Sequence, residues 1–340
     1  MNRTTAPLRR LFAAAAVASL LAACGNPAPA SPAVSATASG TPEVLAFPAV
    51  ESPSPSPSPE ASPSPSPSPS PAPIDLTTTP FTVLVLGGDD GFRTDSIIVA
   101  GIDPVKRRVT FVSLPRDTID VPLPDGGVFR QQKVNAFYDF AAASPARYPQ
   151  GAGRATADMM GKLLRIHIDF YAATSFAGFT NLVNAMGGVR VNVPRTVVDP
   201  RYQVTSTNIG IRFNAGVQVM GGARALIYAR TRQGDNDFER ARRQQVFLAA
   251  AGNQLLSKPA LFSALLAARG NLITDFPLAQ VPALVSALGS IPSGSIVSGA
   301  VLGPSQYSTQ TACSCGYALE PNLVAIRKIA ASLFPWAVTR

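Results

Sequence analysis

A layered α/β fold is predicted by three features of this sequence. Short apolar runs rich in β-branched residues alternate with longer segments of helical periodicity from Phe81 onward. Glycine or proline closes the early runs, as at Gly87-Gly88 and Pro115. No second Pro/Ser-rich stretch interrupts residues 81–340, which are therefore expected to form one domain without internal repeats. With 340 residues, 46% of them hydrophobic, the chain can build such a core.

The elements follow in order. Met1 to Ala23 places Arg3, Arg9 and Arg10 ahead of an apolar stretch, Leu11 to Ala22. That stretch is too short for a permanent membrane span and reads as a signal peptide. Leu21-Ala22-Ala23-Cys24 resembles a bacterial lipobox, which would make Cys24 the lipid anchor and the mature N-terminus. Cleavage near Ala23 into a soluble secreted protein is the alternative. Residues 24–80 read as a disordered Pro/Ser-rich tether: half of the 32 prolines lie between Asn26 and Pro80, and Ser52 to Ser70 is nearly pure Ser-Pro. About 40 such residues at roughly 3 Å each would reach on the order of 120 Å from a membrane. The expected location is extracytoplasmic, on the cell membrane and facing the wall; a passive stalk is the plainer use of such a tether.

Expected strands are 81–86, 96–102, 109–114 and 189–193, with a strand-like 295–302. Expected helices are 134–143, 156–164, 176–186, 238–256, 259–268, 278–288 and 322–333. The first three strands deliver Asp89, Asp90, Arg93, Asp95, Arg116 and Asp117 at or near their ends. Buried strands seldom carry charges unless these face a cleft or a partner. Acids hold a hard cation through oxygen while arginines grip phosphate oxygens, so this set suits a phosphate carrying a divalent cation. The same residues also read as a plain turn at Gly87–Gly91 with a surface pair, Arg93 and Asp95.

A second basic set lies in ALIYARTRQGDNDFERARRQQ, residues 225–245. If extended, Arg230 and Arg232 share one side. Asp237 is the expected N-cap of the helix that follows. On it Arg240, Arg243, Gln244 and Phe247 share a face, while Phe238, Ala241, Val246 and Ala249 suit the core. Four arginines so placed repel one another unless an anion such as pyrophosphate sits among them; a solvated basic face is the plainer reading.

From Phe81 on there are 26 basic residues against 16 acidic ones, a balance that implies an anionic partner. One tryptophan and no basic–aromatic stripe argue against nucleic acid. Cys313 and Cys315 are expected to be a structural pair or two free thiols, since no further Cys or His is close enough in sequence to make a metal site. The lone histidine, His167, lies between apolar residues and is read as structural.

With these blocks in hand the sequence resembles the LytR–CpsA–Psr family of cell-envelope phosphotransferases over about residues 81–335. The resemblance is carried by LVLGGDDGFRTDSIIVAGIDP, VSLPRDT, KVNAFY, FAGFTNLVNAMGGVRVNVP, ALIYARTR and DFERARRQQ, in that order. It implies an α-β-α arrangement with a central mixed sheet and an apolar pocket for a polyprenyl chain. It implies transfer of an anionic glycopolymer from a polyprenyl-pyrophosphate carrier to a peptidoglycan or other cell-wall hydroxyl. Asp89 and Asp95 would hold Mg2+ (Mn2+ is the alternative) and act in catalysis with Arg93 and Arg116. Arg116, Arg230, Arg232, Arg240, Arg243 and Gln244 would bind pyrophosphate; Lys133 and Asp117 fit more loosely. Asn184 and Ser175 stand where the family usually has Asp. Phe176, Phe179, Leu182, Val183, Phe247 and Leu248 would line the lipid groove, or serve as ordinary core. Two other functions use the same residues: a polyprenyl-pyrophosphate phosphatase with water as acceptor, and a tethered polymer-binding protein without chemistry.

Overall fold

The computed structural model describes residues 74–339 except 90–92, 233–235, 259–260, 262–264, 266–267, 293 and 311–312. The expected signal peptide, Cys24, nearly all of the tether and most of the expected helix 259–268 lie outside the described residues. Packed structure is present ahead of residue 81. Asp75 closes a turn by accepting from the Thr77 amide at 3.0 Å, and Leu76 is fully buried.

The strands β1 (Phe81–Gly88), β2 (Thr94–Asp103) and β3 (Arg108–Ser113) form an antiparallel meander. A short hairpin follows, β4 (Val121–Pro122) with β5 (Val128–Phe129), then helices α1 (Phe137–Ala142) and α2 (Ala152–Leu164). Next come β6 (Phe170–Ser175), α3 (Phe176–Ala185), β7 (Val189–Val193), β8 (Val197–Gln203), β9 (Ile209–Phe213) and β10 (Gly216–Met220). Helices α4 (Gly222–Arg230) and α5 (Asp237–Ser257) precede β11 (Ile273–Thr274), the helix Val281–Gly289 and β12 (Ile296–Val301). The hairpin β13 (Tyr307–Gln310) with β14 (Ala318–Pro321) leads to the helix Leu323–Leu333.

The main sheet has the order β11-β6-β1-β2-β3-β12. β6 runs parallel to β1 and β12 parallel to β3, so the sheet is mixed. Both faces are covered, as the side-chain alternation dictates. Leu84, Leu86, Ile97, Val99 and Val112 pack toward α2 and the C-terminal helix through Met159, Met160, Leu163, Ile326 and Phe334. Phe81, Ile98, Ala100, Ile102 and Phe111 pack on the other side with Leu248, Ala287 and Ile291. A third apolar body joins β7, α3, α4 and α5 through Val183, Val191, Tyr228 and Phe247. The fold is thus the expected α-β-α arrangement.

Some elements differ from expectation. β6 was not expected, because its Ala172-Ala173 centre lacks the β-branched signature; pairing with β1 supplies what propensity does not. Arg230 ends a helix rather than lying on an extended segment, so it and Arg232 do not alternate along a strand. The N-cap of α5 is Asn236, whose side chain accepts from the Glu239 amide, and Asp237 is the first helical residue. On α5 both faces pack: Arg240 and Arg243 are 4% and 6% exposed, and of the expected core face Ala241 is buried while Phe238, Val246 and Ala249 are half-buried. His167 points to solvent between the buried Ile166 and Ile168, 3.5 Å from Asp169. Cys313 and Cys315 are joined in a disulfide packed against Ile119 and Ala318.

Candidate active site

One end of the sheet collects the charges. Gly87 and Gly88 of β1 pair with Thr174 and Ser175 of β6, and Gly87 pairs with Ser96 of β2. Between Gly87 and Gly88 the register slips: Gly88 pairs with Thr94, leaving Asp95 as the extra residue of a bulge. By strict alternation Asp95 would share the α2 side with Ile97 and Val99. Instead it lines a cavity with Ile98 on the opposite side, the kind of re-aiming that bulges produce beside active sites. Asp89 closes the same turn, its Oδ1 accepting from the Arg93 amide at 2.9 Å.

Arg116, just past β3, is ion-paired with Oδ1 of Asp95. Behind it Asp117 meets Lys133 at 2.9 Å and the Arg116 Nε at 3.8 Å. From the other side Arg240 donates to the Asp95 carbonyl at 3.3 Å and to Oδ2 of Asp237 at 2.9 Å. Arg232 lies 3.5 Å from the same Asp237. Burial pushes the Arg240 guanidinium down to about 10, against the pull of Asp237. Its Nε is buried without a hydrogen bond, as is the Nε of Arg116. Cationic donors outnumber acceptors here, and such unmet donors are rare unless a ligand completes them.

Arg243 and Gln244 are turned differently. Arg243 donates to the carbonyls of Tyr228, at 3.2 Å, and Thr231; Gln244 donates to Ala229 at 3.1 Å. Both therefore clamp the C-terminal turn of α4, where carbonyls lack helical partners, and so fix Arg230 and Arg232. Arg230 itself stacks on the Phe176 ring, 4.1 Å from its centre.

Beside this cluster opens a cavity of about 270 Å³ between the sheet, α3, α4 and α5. Phe176, Phe179, Leu182, Val183, Phe247 and Leu248 all line it, and beside the hydroxyls of Ser96, Thr174 and Ser175 its polar lining includes Asp95, Arg230 and Gln244. The structure thus gathers Asp95, Arg116, Arg232 and Arg240 into one ion network, with Arg230 on the cavity wall. Arg93 is exposed at the turn, and Asp90 lies outside the described residues. Sequence reasoning missed the clamping role of Arg243 and Gln244, because α4 itself was not foreseen. Ser175 and Asn184, by contrast, each have a clear local role. Ser175 caps α3 by accepting from Gly178 at 3.1 Å, and Asn184 accepts from the Gly222 amide at the start of α4 at 2.8 Å.

By donor chemistry, Asp89 and Asp95 each offer the carboxylate oxygen that a hard divalent cation takes. In each, one oxygen is engaged and the other makes no hydrogen bond or ion pair among the described residues. Among the described residues no group of three or more carboxylate, His or Cys side chains is placed to hold a metal ion. Magnesium bound by one or two carboxylates normally completes its shell with water and substrate phosphate.

A profile of the LytR_cpsA_psr family matches residues 54–327. The polyisoprenyl-teichoic acid–peptidoglycan teichoic acid transferase TagU of Enterococcus faecalis is 35% identical over 188 residues, covering 52% of this chain and 54% of the relative. TagV of Bacillus subtilis, named for the same activity, is 32% identical over 191 residues, covering 54% and 46%. The crystal structure of B. subtilis TagV superposes with a TM-score of 0.58 at 27% identity, covering 75% of this chain and 97% of that one. The chain spans about half the length of the curated relatives it matches.

Proposed function

The chain belongs to the LytR_cpsA_psr family, and from that premise we propose that it transfers an anionic glycopolymer from a polyprenyl-pyrophosphate carrier to a cell-wall hydroxyl. Its relatives are named as teichoic acid transferases acting on peptidoglycan, which supports this class of donor and acceptor. The observation that carries it is the junction of a guanidinium-rich network with an apolar cavity through Asp95 and Arg230. A diphosphate on a long alkenyl tail meets both halves at once.

The acceptor oxygen attacks the polymer-side phosphorus, the bridging P–O bond breaks, and polyprenyl phosphate leaves with the bonding electrons. The cavity keeps the tail, each buried methylene contributing about 0.8 kcal/mol. Arg116, Arg232 and Arg240 neutralise charge on the phosphoryl oxygens, and Arg230 holds the head against the cavity wall. A magnesium ion held by Asp89 and Asp95, with manganese as alternative, would offset phosphoryl charge and acidify the incoming hydroxyl. The proton of the incoming hydroxyl goes either to Asp117, which lies 2.9 Å from Lys133 and 3.8 Å from the Arg116 Nε, or to solvent from a metal-polarised alkoxide; Asp237 already pairs with Arg232 and Arg240. We place the enzyme outside the cytoplasm, exported by residues 1–23 and anchored through Cys24.

The test supplies polyprenyl-pyrophosphate glycopolymer, a peptidoglycan oligosaccharide and magnesium, and follows both products by mass spectrometry. Polyprenyl phosphate and a glycan–polymer phosphodiester are expected, and Asp95→Ala should lose about 100-fold or more in rate. Full activity in Asp95→Ala would remove the metal assignment. Carrier cleavage that leaves the polymer phosphate free in the presence of acceptor would make the protein a phosphatase.

A further inference from the structure

The ribbons β7–β10 and β8–β9 carry an unusual outer surface. A two-stranded ribbon packed on one side normally turns polar residues to water on the other. Here Val198, Val204, Ile209, Val217 and Val219 are exposed by 36–63%, within two dozen residues of one another. From Gly187 to Arg232 the sequence holds seven arginines, and its one acid, Asp199, is buried and accepts from Thr231. Arg190, Arg201, Arg212 and Arg224 are exposed and form no ion pair among the described residues. The register sets apolar and cationic side chains side by side: Val219 faces Arg190 and Val198 faces Arg212.

We infer that these ribbons are a docking surface for an anionic lipid bilayer. Exposed apolar side chains in contiguous groups mark interaction sites. Arginines snorkel, resting their stems on apolar surface while the guanidinium reaches phosphate headgroups. A soluble polyanion would engage the arginines and leave the valines in water, whereas a membrane interface satisfies both. The position also has a use. β10 runs into α4 with only Gly221 between them, and Leu226, Ala229 and Arg230 of α4 line the apolar cavity. Docking here places the wall of the cavity beside the lipid from which a polyprenyl tail must come. That use rests on the proposed lipid substrate; the docking itself does not.

The test is a local probe on the full chain. Cys313 and Cys315 are already joined, so in the full chain carrying Cys24→Ser a polarity-sensitive fluorophore can be put on Val219→Cys, with the Cys24→Ser chain alone as background. In phosphatidylglycerol vesicles its emission should shift to the blue and be quenched by spin-labelled lipid. A probe on Val324→Cys, at a site 81% exposed on the C-terminal helix, should stay in water. Each of Arg190→Glu and Arg212→Glu should weaken the interaction at least about fivefold with an unchanged melting temperature. A probe at 219 that reads water in anionic vesicles overturns the inference, as does one that reads the same as the probe at 324. Binding of soluble polyglycerol phosphate with no vesicle response would also overturn it, making the surface a polymer site. None of these readouts depends on turnover, so failure of the transferase reading would show separately, in assays on detergent-solubilised carrier.

Discussion

Arg240 keeps a charge where almost no water reaches, and Asp237 is the carboxylate that makes this tolerable. Breaking a buried pair by removing one partner strands the other, so Asp237→Ala should cost roughly 3 kcal/mol in urea unfolding at neutral pH. Added pyrophosphate should recover part of that loss and should raise the melting temperature of the parent protein. The sign of the pH effect follows from the depressed guanidinium. Below about 10 both folded and unfolded chains hold the proton. Between about 10 and the higher ordinary value of a guanidinium only the unfolded chain does, so this group's destabilising effect is relieved as pH rises through that window. Pyrophosphate affinity should fall over the same rise, because the folded protein is losing a cation; calorimetric titration across it checks the direction. These residues were legible from sequence as acids and arginines at element ends. Their burial was not, because a helix face bearing Arg240 and Arg243 looks solvated until its neighbours are known.

Among the elements, α4 matters most to the site and was the least visible beforehand. Its residues GARALIYAR lack a strong amphipathic stripe, and the neighbouring Thr231-Arg232 invites an extended reading. Only tertiary structure shows that Arg243 and Gln244 hold its last turn. Arg243→Ala should therefore reduce kcat/KM by loosening Arg230 and Arg232. Hydrogen exchange at the end of α4 should rise with it, a change that loss of a purely ligand-binding arginine would not cause. At the other end, Gly222 lets α4 approach α3. A Cβ there would lie 2.3 Å from the Thr180 carbonyl oxygen. Gly222→Val should cost about 1–3 kcal/mol by forced separation of the two helices, measurable by thermal melting. The strands β1 to β3 were readable because their β-branched runs end in glycine or proline; β6, centred on two alanines, borrows its conformation from β1.

At the scale of the whole molecule, the sheet does the gathering. Two parallel neighbours, β1 and β6, end together where the chain turns into Asp89 and α3, and β2 begins and β3 finishes at that same end. Sequence blocks more than a hundred residues apart are brought onto one cluster by that topology alone, which is why their order could be read but not their distances. The cavity belongs to the same scale, since sheet and three helices each supply a wall. Ala251→Trp, filling it, should abolish turnover of long-chain carrier while leaving inorganic pyrophosphate binding intact; equal loss of both would mean that the substitution disturbs the fold.

Arg230 stacked over Phe176 makes the threshold of that cavity cationic on one side and oily on the other. Alkyl sulfates and phosphocholine detergents have the same two-ended character. Preparations extracted with them should therefore be inhibited in proportion to chain length, and a sugar-based neutral detergent should spare activity. The same asymmetry outlines an inhibitor, a short phosphonate carrying a branched hydrocarbon, which neither a bare anion nor a plain alkane would rival.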